Sequence, residues 1–191
     1  MKSKYISKTT NYNGSELHPL YSYINHKLAG DSIVAFKGKC QIHFNQMVDA
    51  EDLVAGAQIA GDEMLHFIIE LFNQNLMTAV TLQRLLVSIA QNILNKKSNV
   101  LKKNPLVRSG DDLYFKSKSA LSKLSISIAS CSAVSSMIHF AVNITNEGTP
   151  VKTCSLNDFK IDPKDFADQL ILEFKAEYQS ILEATQKVKP L

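Results

Sequence analysis

The apolar residues of this 191-residue chain change period part-way along it, and that change limits the fold more than any other feature. Between residues 78 and 95, Leu82, Leu85, Leu86, Ile89, Ala90, Ile93 and Leu94 recur every three or four positions, opposite Gln83, Arg84, Ser88, Gln91 and Asn92. That spacing predicts one amphipathic helix. Beyond the polar stretch from Lys96 to Gly110 the period falls to two. Leu124, Ile126 and Ile128 alternate with Ser125, Ser127 and Ala129, and Ile138, Phe140, Val142 and Ile144 alternate with Met137, His139, Ala141 and Asn143. Alternation puts each set on one face of a strand. Helical and strand periods in separate blocks predict an α+β fold, with an antiparallel or mixed sheet and helices packed on one face. The length suits a single domain over 1–191.

Other segments fill in this outline. Asp31 to Lys37, then Cys40, Ile42 and Phe44, fit two strands joined by a tight turn or one strand bulged at Gly38. A short helix is expected within 48–60, behind Asp49, Glu51 and Asp52. Met64, Leu65, Ile68, Ile69 and Phe72 have helical spacing and predict a helix over 62–73, starting near Gly61 or Asp62. Asp112 to Phe115 is a short strand, Glu147 to Pro150 a turn, and Val151 to Ser155 an edge strand beginning at a proline. Asp162-Pro163 opens a final helix, with proline at its first position and apolar residues from Phe166 to Leu182 on one side.

Composition excludes several classes. Hydrophobic residues make up 45% of the chain and charged residues 20%, which is ordinary for a globular protein and excludes wholesale disorder. No run of about 18 apolar residues could form a transmembrane helix. The opening Met1-Lys2-Ser3-Lys4-Tyr5-Ile6-Ser7-Lys8 lacks the apolar core of a secretory signal. The three cysteines, Cys40, Cys131 and Cys154, form no C-x-x-C pair and leave one over, so a reduced, cytoplasmic setting without membrane association is expected. Net charge is only +3, but residues 76–125 carry nine Lys or Arg against two acids. Lys96, Lys97, Lys102, Lys103, Arg108, Lys116, Lys118 and Lys123 form this basic block. Lysines near helix C-termini offset the macrodipole, and only Tyr114 and Phe115 lie among them, so nucleic acid is a disfavoured partner.

Chemistry concentrates on the two alternating strands. If they pair with their apolar residues towards the helices, Lys123, Ser125 and Ser127 share the outer face with His139 and Asn143, and Asp111 and Asp112 stand at the rim. A cation, two hydroxyls, an imidazole and an amide suit a polar ligand. Lys123 and His139 are the candidates to act on it. Arg108, Asp111, Asp112, Ser125, Ser127 and Asn143 are the candidates to bind it. A serine–histidine hydrolase is disfavoured, because strand-borne serines lack the strained elbow of G-x-S-x-G. Five histidines and three cysteines show no H-E-x-x-H or C-x-x-C spacing, so no metal site is expected. Neither G-x-G-x-x-G nor G-x-x-x-x-G-K-[ST] occurs, and no cofactor is assigned.

Several stretches resemble an uncharacterised family of domains of unknown function, number 366. They include Leu28 to Cys40, Met47 to Asp52, Met64 to Ile68, Gln83 to Val87, Arg108 to Leu113, Lys123 to Ala129, Ile138 to Ile144, Glu147 to Pro150 and the helix after Ile161-Asp162-Pro163. The family carries no established activity, so the resemblance transfers none. The order of a helix, a Gly-Asp-Asp-Leu strand, a Lys-Leu-Ser strand and a strand holding His139 is also similar to lipoate and biotin protein ligases. In those enzymes a Lys-Ile-Ser-Gly strand supplies a lysine that contacts the acyl-adenylate. The resemblance implies that Lys123 takes that lysine's place and that Asp112 matches the aspartate before it. Their Arg-Gly-Gly-Gly adenylate loop has no counterpart here, and Ile126 stands where they place glycine.

Two functional readings follow. One is a domain that binds a small carboxylate or nucleotide, with acyl transfer as its most concrete chemistry. The other is a non-catalytic interaction module, a homodimer that meets a protein or nucleic acid. A concave, enclosed polar face suits the first, and an exposed surface with an apolar centre suits the second.

Overall fold

A computed structural model describes residues 1–117 and 120–189. Strand β1 (Lys2–Ile6) leads through helix α1 (Tyr21–His26) to β2 (Ser32–Gln41), then through the short helix α2 (Ala50–Ala55) to β3 (Ala60–Phe72). Helices α3 (Leu76–Lys97) and α4 (Asn99–Lys103) precede β4 (Val107–Ser109), β5 (Asp112–Lys116), β6 (Leu121–Lys123), β7 (Ser125–Cys131) and β8 (Ser135–Asn143), and α5 (Pro163–Thr185) closes the fold. The main sheet has five strands in the order β1-β2-β3-β8-β7, and β4-β5-β6 form a second sheet. Only the β1–β2 pairing is parallel in the main sheet, so that sheet is mixed and the protein is α+β.

Helices α3 and α5 cover one face of the main sheet. Leu82, Leu86, Val87, Ala90, Ile93 and Leu94 of α3 and Phe166, Leu170 and Phe174 of α5 bury against Ile33, Ala35, Leu65, Phe67, Ile69, Leu71, Ile138, Phe140 and Val142. Both helices are capped as their sequences require. Asn75 accepts the amide of Thr78 ahead of α3, and Asp162 accepts that of Asp165 ahead of α5, with Pro163 at the first position. In the basic block, Lys96 and Lys97 lie in the last turn of α3, and Lys102 and Lys103 in that of α4. These are the placements that relieve a helix dipole. Lys118 lies outside the described residues. No helix among the described residues is long and apolar enough to cross a membrane.

Three expectations need correction. Residues 62–72 lie in the strand β3, not in a helix. This strand is central in the sheet and buried on both faces, with apolar residues on each, and such a run satisfies i, i+3, i+4 spacing by default. Val151 to Ser155 forms no strand, and only an isolated parallel bridge joins Thr153 to Lys123. The third correction concerns β7. Ser127 pairs with Phe140 and Ser125 with Val142, so the serines share the helix-side face, while Ile126 and Ile128 lie opposite Ala141 and His139 on the other. The alternation restarts at Leu124, where the chain leaves the second sheet and enters the first. A one-residue offset exchanges every face.

The face away from α3 and α5 is covered by the N-terminal segment. Beyond β1 this segment continues along β2: Thr10 donates to the Lys37 carbonyl at 2.9 Å, Tyr12 to that of Lys39 at 2.8 Å, and Gln41 to that of Tyr12 at 2.9 Å. The register of β2 slips between Gly38 and Cys40, where a bulge was one of the two expectations. Only glycine fits at Gly38, because a Cβ there would stand 1.9 Å from the carbonyl oxygen of Thr10. This close crossing carries the ring of Tyr12 onto the sheet.

Candidate functional site

A cleft of about 440 Å³ opens on the face covered by the N-terminal segment. Its apolar part comes from Leu17, Ile42, Ile59, Met64, Ile126 and Ile128, and its polar part from Asp49, Glu51, Asp52, Asp111, Asp112 and Lys123. The segment between β2 and β3 forms one wall. Its base is closed by the Ile42 amide bonding the Ile59 carbonyl at 3.1 Å.

Lys123 ends β6 beside the start of β5, so its ammonium meets Asp112 Oδ2 at 2.8 Å, with the side chains 29% and 23% exposed. Tyr114 donates its hydroxyl to the same carboxylate at 3.2 Å. Burial works against the Lys123 ammonium, but the hydrogen bond and charge of Asp112, joined by Tyr114 and Asp52, outweigh it and hold its pKa above the usual lysine value. At Asp112 burial raises the carboxyl pKa, and Lys123 offsets that only in part. Burial followed by repulsion from Asp49 raises Asp52 as well. Asp111 is held from α3, accepting Gln83 Nε2 at 2.8 Å and facing Arg84 Nη2 at 3.4 Å.

His139 is 1% exposed, within the same cleft. The ring of Tyr12 stacks on it with centroids 3.8 Å apart and planes 13° from parallel. His139 Nε2 lies 3.1 Å from Nδ1 of His66, whose Nε2 lies 3.2 Å from the Gly38 carbonyl oxygen. Burial pushes the pKa of His66 down to about 4, against the carbonyl of Gly38. Burial and then the neighbouring His66 push His139 well below the ordinary histidine value. Both rings are therefore neutral at pH 7.

The structure gathers some of the expected residues and separates others. Asp111, Asp112, Lys123, His139 and Asn143 all border the cleft. Asn143 donates its amide to the carbonyls of Lys123 and Cys154, each at 3.2 Å, and so ties β6 to the chain after β8. Ser125 and Ser127 border the cleft, but their hydroxyls are committed elsewhere. Ser125 Oγ accepts the Leu113 amide at 2.9 Å, while Ser127 Oγ donates to the His139 carbonyl at 2.8 Å and accepts Gln83 Nε2 at 3.0 Å. They do not share a face with the His139 ring. Arg108 is exposed on β4, donates to the Gly110 carbonyl and does not line the cleft. Tyr12, Asp52, Gln83 and Arg84 are not site candidates from sequence, and His66 reads there only as a hydrogen-bonded core or boundary residue of an apolar helix. Once 62–72 is taken as a strand, His66 becomes legible as a second histidine on the face of its neighbour. Nothing in sequence marks Tyr12.

A mixed five-stranded sheet with two helices on one face and a cleft on the other defines the class: a fold of the biotin and lipoate protein ligase type. Biotin protein ligase from Aquifex aeolicus, also solved with biotin and ATP, superposes with a TM-score of 0.60 at 12% identity over 96% of this chain and 72% of that chain. A chain from the bipartite lipoate protein ligase system of Thermoplasma acidophilum gives 0.55 at 11% identity over 94% of this chain and 84% of that one. At such identities the likeness is one of fold. A protein of unknown function from Pyrococcus horikoshi is much nearer, with a TM-score of 0.90 and 33% identity over 100% of this chain and 98% of that chain. An uncharacterised protein of Methanocaldococcus jannaschii is 30% identical over 98% of this chain and 84% of its own length. The family described as Domain of unknown function (DUF366) matches residues 1–189, and the chain belongs to it.

Proposed function

We propose that the cleft binds a small molecule with an apolar body and a carboxylate or acyl head, in an arrangement suited to acyl transfer. The observation that carries this reading is the half-buried Lys123–Asp112 pair at the edge of a concave cleft with an apolar floor. Binding sites for small molecules combine an apolar enclosure with a few convergent polar groups. The apolar body of the ligand lies over Met64, Ile126 and Ile128. Lys123 meets the head, where an ammonium stabilises negative charge developing on a transferring acyl group. Among the described residues five carboxylates line the cleft against this single cation. That balance favours a head of one negative charge or none over the several charges of a nucleotide.

The second reading, a homodimeric interaction module, draws support from the exposed Phe44, Val48, Leu53 and Val54 beside the cleft, Val54 being 90% exposed. One thermal-shift experiment separates the two. Short- and medium-chain carboxylic acids, their acyl-adenylate analogues and free nucleotides are tested on the wild type and on Lys123→Met. A ligand at about a hundred times its Kd adds roughly 2.7 kcal/mol. The expected result is a rise in Tm with an acid or acyl analogue that Lys123→Met abolishes. No shift with any compound, together with a concentration-dependent dimer in sedimentation, overturns the ligand reading in favour of the module.

A further inference from the structure

The direction of every hydrogen bond in the buried histidine chain follows from its far end. The Gly38 carbonyl can only accept, so His66 Nε2 carries the hydrogen directed at it. A neutral imidazole has one N–H, which leaves His66 Nδ1 bare. His139 Nε2, 3.1 Å from that bare nitrogen, must then be the donor. His139 has its single hydrogen on Nε2, and its Nδ1 is a lone-pair acceptor. Among the described residues none hydrogen-bonds Nδ1, although His139 is almost wholly buried and lines the cleft. Reversing the chain would set the lone pair of His66 Nε2 against that of the Gly38 oxygen.

We propose that His66 is a positioning residue that fixes the tautomer of His139, so that the cleft presents His139 Nδ1 as a neutral acceptor for an N–H or O–H group of the bound molecule. The proposal rests on the reading of the cleft as a ligand site and deepens it. The ligand carries a hydrogen-bond donor at the end away from its acyl head. Tyr12 stacks flat on the imidazole, so the donor approaches the edge of the ring and not its face. Discrimination follows at such a site, because a ligand lacking the donor shuts water away from the acceptor and leaves it unpaired. The carboxylates along the cleft are acceptors as well, and they favour the same donor-bearing class.

The test has two arms that fail separately. Ring nitrogen-15 NMR of the full-length protein at pH 7 reads the tautomer without any ligand. The expected spectrum has a pyridine-type Nδ1 and a pyrrole-type Nε2 for both His66 and His139. His66→Phe removes the acceptor and moves His139 to a mixture of tautomers, whereas His66→Asn, whose Oδ1 replaces the lost Nδ1, restores the wild-type pattern. A pyrrole-type Nδ1 at His139 in the wild type, or an unchanged tautomer in a folded His66→Phe, overturns the positioning role. The second arm adds 2-pyrrolidone, whose lactam offers one N–H, and N-methyl-2-pyrrolidone, which offers none. A shift of His139 Nδ1 with the first alone, diminished in His66→Phe, supports the acceptor role. Equal shifts with both overturn that role. No shift with either, alongside the expected tautomer, overturns the cleft as a donor-binding site while leaving the effect of His66 on His139 standing.

Discussion

The two faces of the main sheet are built from alternate residues of the same strands, yet they are made for different purposes. Towards α3 and α5, β3 contributes Leu65, Phe67, Ile69 and Leu71, and β8 contributes Ile138, Phe140 and Val142. Towards the N-terminal segment the same strands contribute His66, Glu70 and His139 among the apolar Met64, Ile68 and Ala141, all buried. These polar groups have partners: Glu70 accepts the Leu20 amide at 2.6 Å and the Ser135 hydroxyl at 2.7 Å, and the two histidines bond one another. The first face gains stability from apolar contact with two long helices. The second is closed by a strap, a six-residue helix and a loop, and holds polar groups in fixed orientations around a cleft. Packing supplies most stability, whereas oriented polar groups supply specificity.

The largest effect is expected where this contrast is sharpest. Phe140→Ala empties a fully buried site on the helix face of the sheet and should cost about 3–5 kcal/mol. Ile128→Ala, which removes a half-buried side chain at the cleft, should cost about 1 kcal/mol. Urea unfolding of the two variants, with unchanged m-values, measures the difference. Equal losses would show that the cleft face is packed as tightly as the helix face and break the comparison.

A second prediction sharpens it through pH. The folded pKa of His66, about 4, lies below the ordinary 6.5. Between these values the unfolded chain binds the extra proton and the folded one does not, so stability falls as pH drops from 6.5 to 4 and levels off below. At 1.36 kcal/mol per unit, the loss from His66 alone is about 3 kcal/mol, and His139 adds in the same direction. Tyr12, stacked on His139, and Cys40, bridged to Tyr12, are both raised by burial, Cys40 to about 12, and stay neutral throughout. Urea midpoints measured from pH 7 to pH 4 should fall steeply in the wild type and less steeply in His66→Phe, where burial of His139 still makes stability fall with pH. A flat wild-type profile would mean that water reaches the pair and that this face is not dry.

How far each face was legible follows from the same contrast. The helix face announces itself: the stripes of α3 and α5 and the alternation of Ile138, Phe140 and Val142 each belong to one buried side. Asp112 and Lys123, near in sequence and on adjoining strands, were also legible as neighbours. The other face hides its pattern. In β3, His66 and Glu70 sit among apolar residues on both sides, so the run carries no strand period. In β7 the restart at Leu124 reverses the faces, which places Ser125 and Ser127 towards Leu113 and Gln83. Tyr12 reaches His139 only through the close crossing at Gly38, a long-range contact with no local signal.

The smallest effect belongs to the outermost layer of the cleft face. Helix α2 buries none of its residues, and Asp49 caps it by accepting the amides of Glu51 at 2.8 Å and Asp52 at 3.3 Å. Asp49→Ala removes that cap and should cost α2 about 1 kcal/mol, which is roughly fivefold in its local opening equilibrium. Since α2 shares no buried side chain with the sheet, the cost should stay local, as it does where a segment opens independently of the core. Amide exchange across 50–56 should quicken by about that factor, while the amides of β3 and the urea midpoint stay unchanged. A fall in the global midpoint equal to the local cost would make α2 part of the cooperative core. The cleft wall would then be as firmly tied to the sheet as α3 and α5 are, and the contrast between the faces would lie in their chemistry and not in their stability.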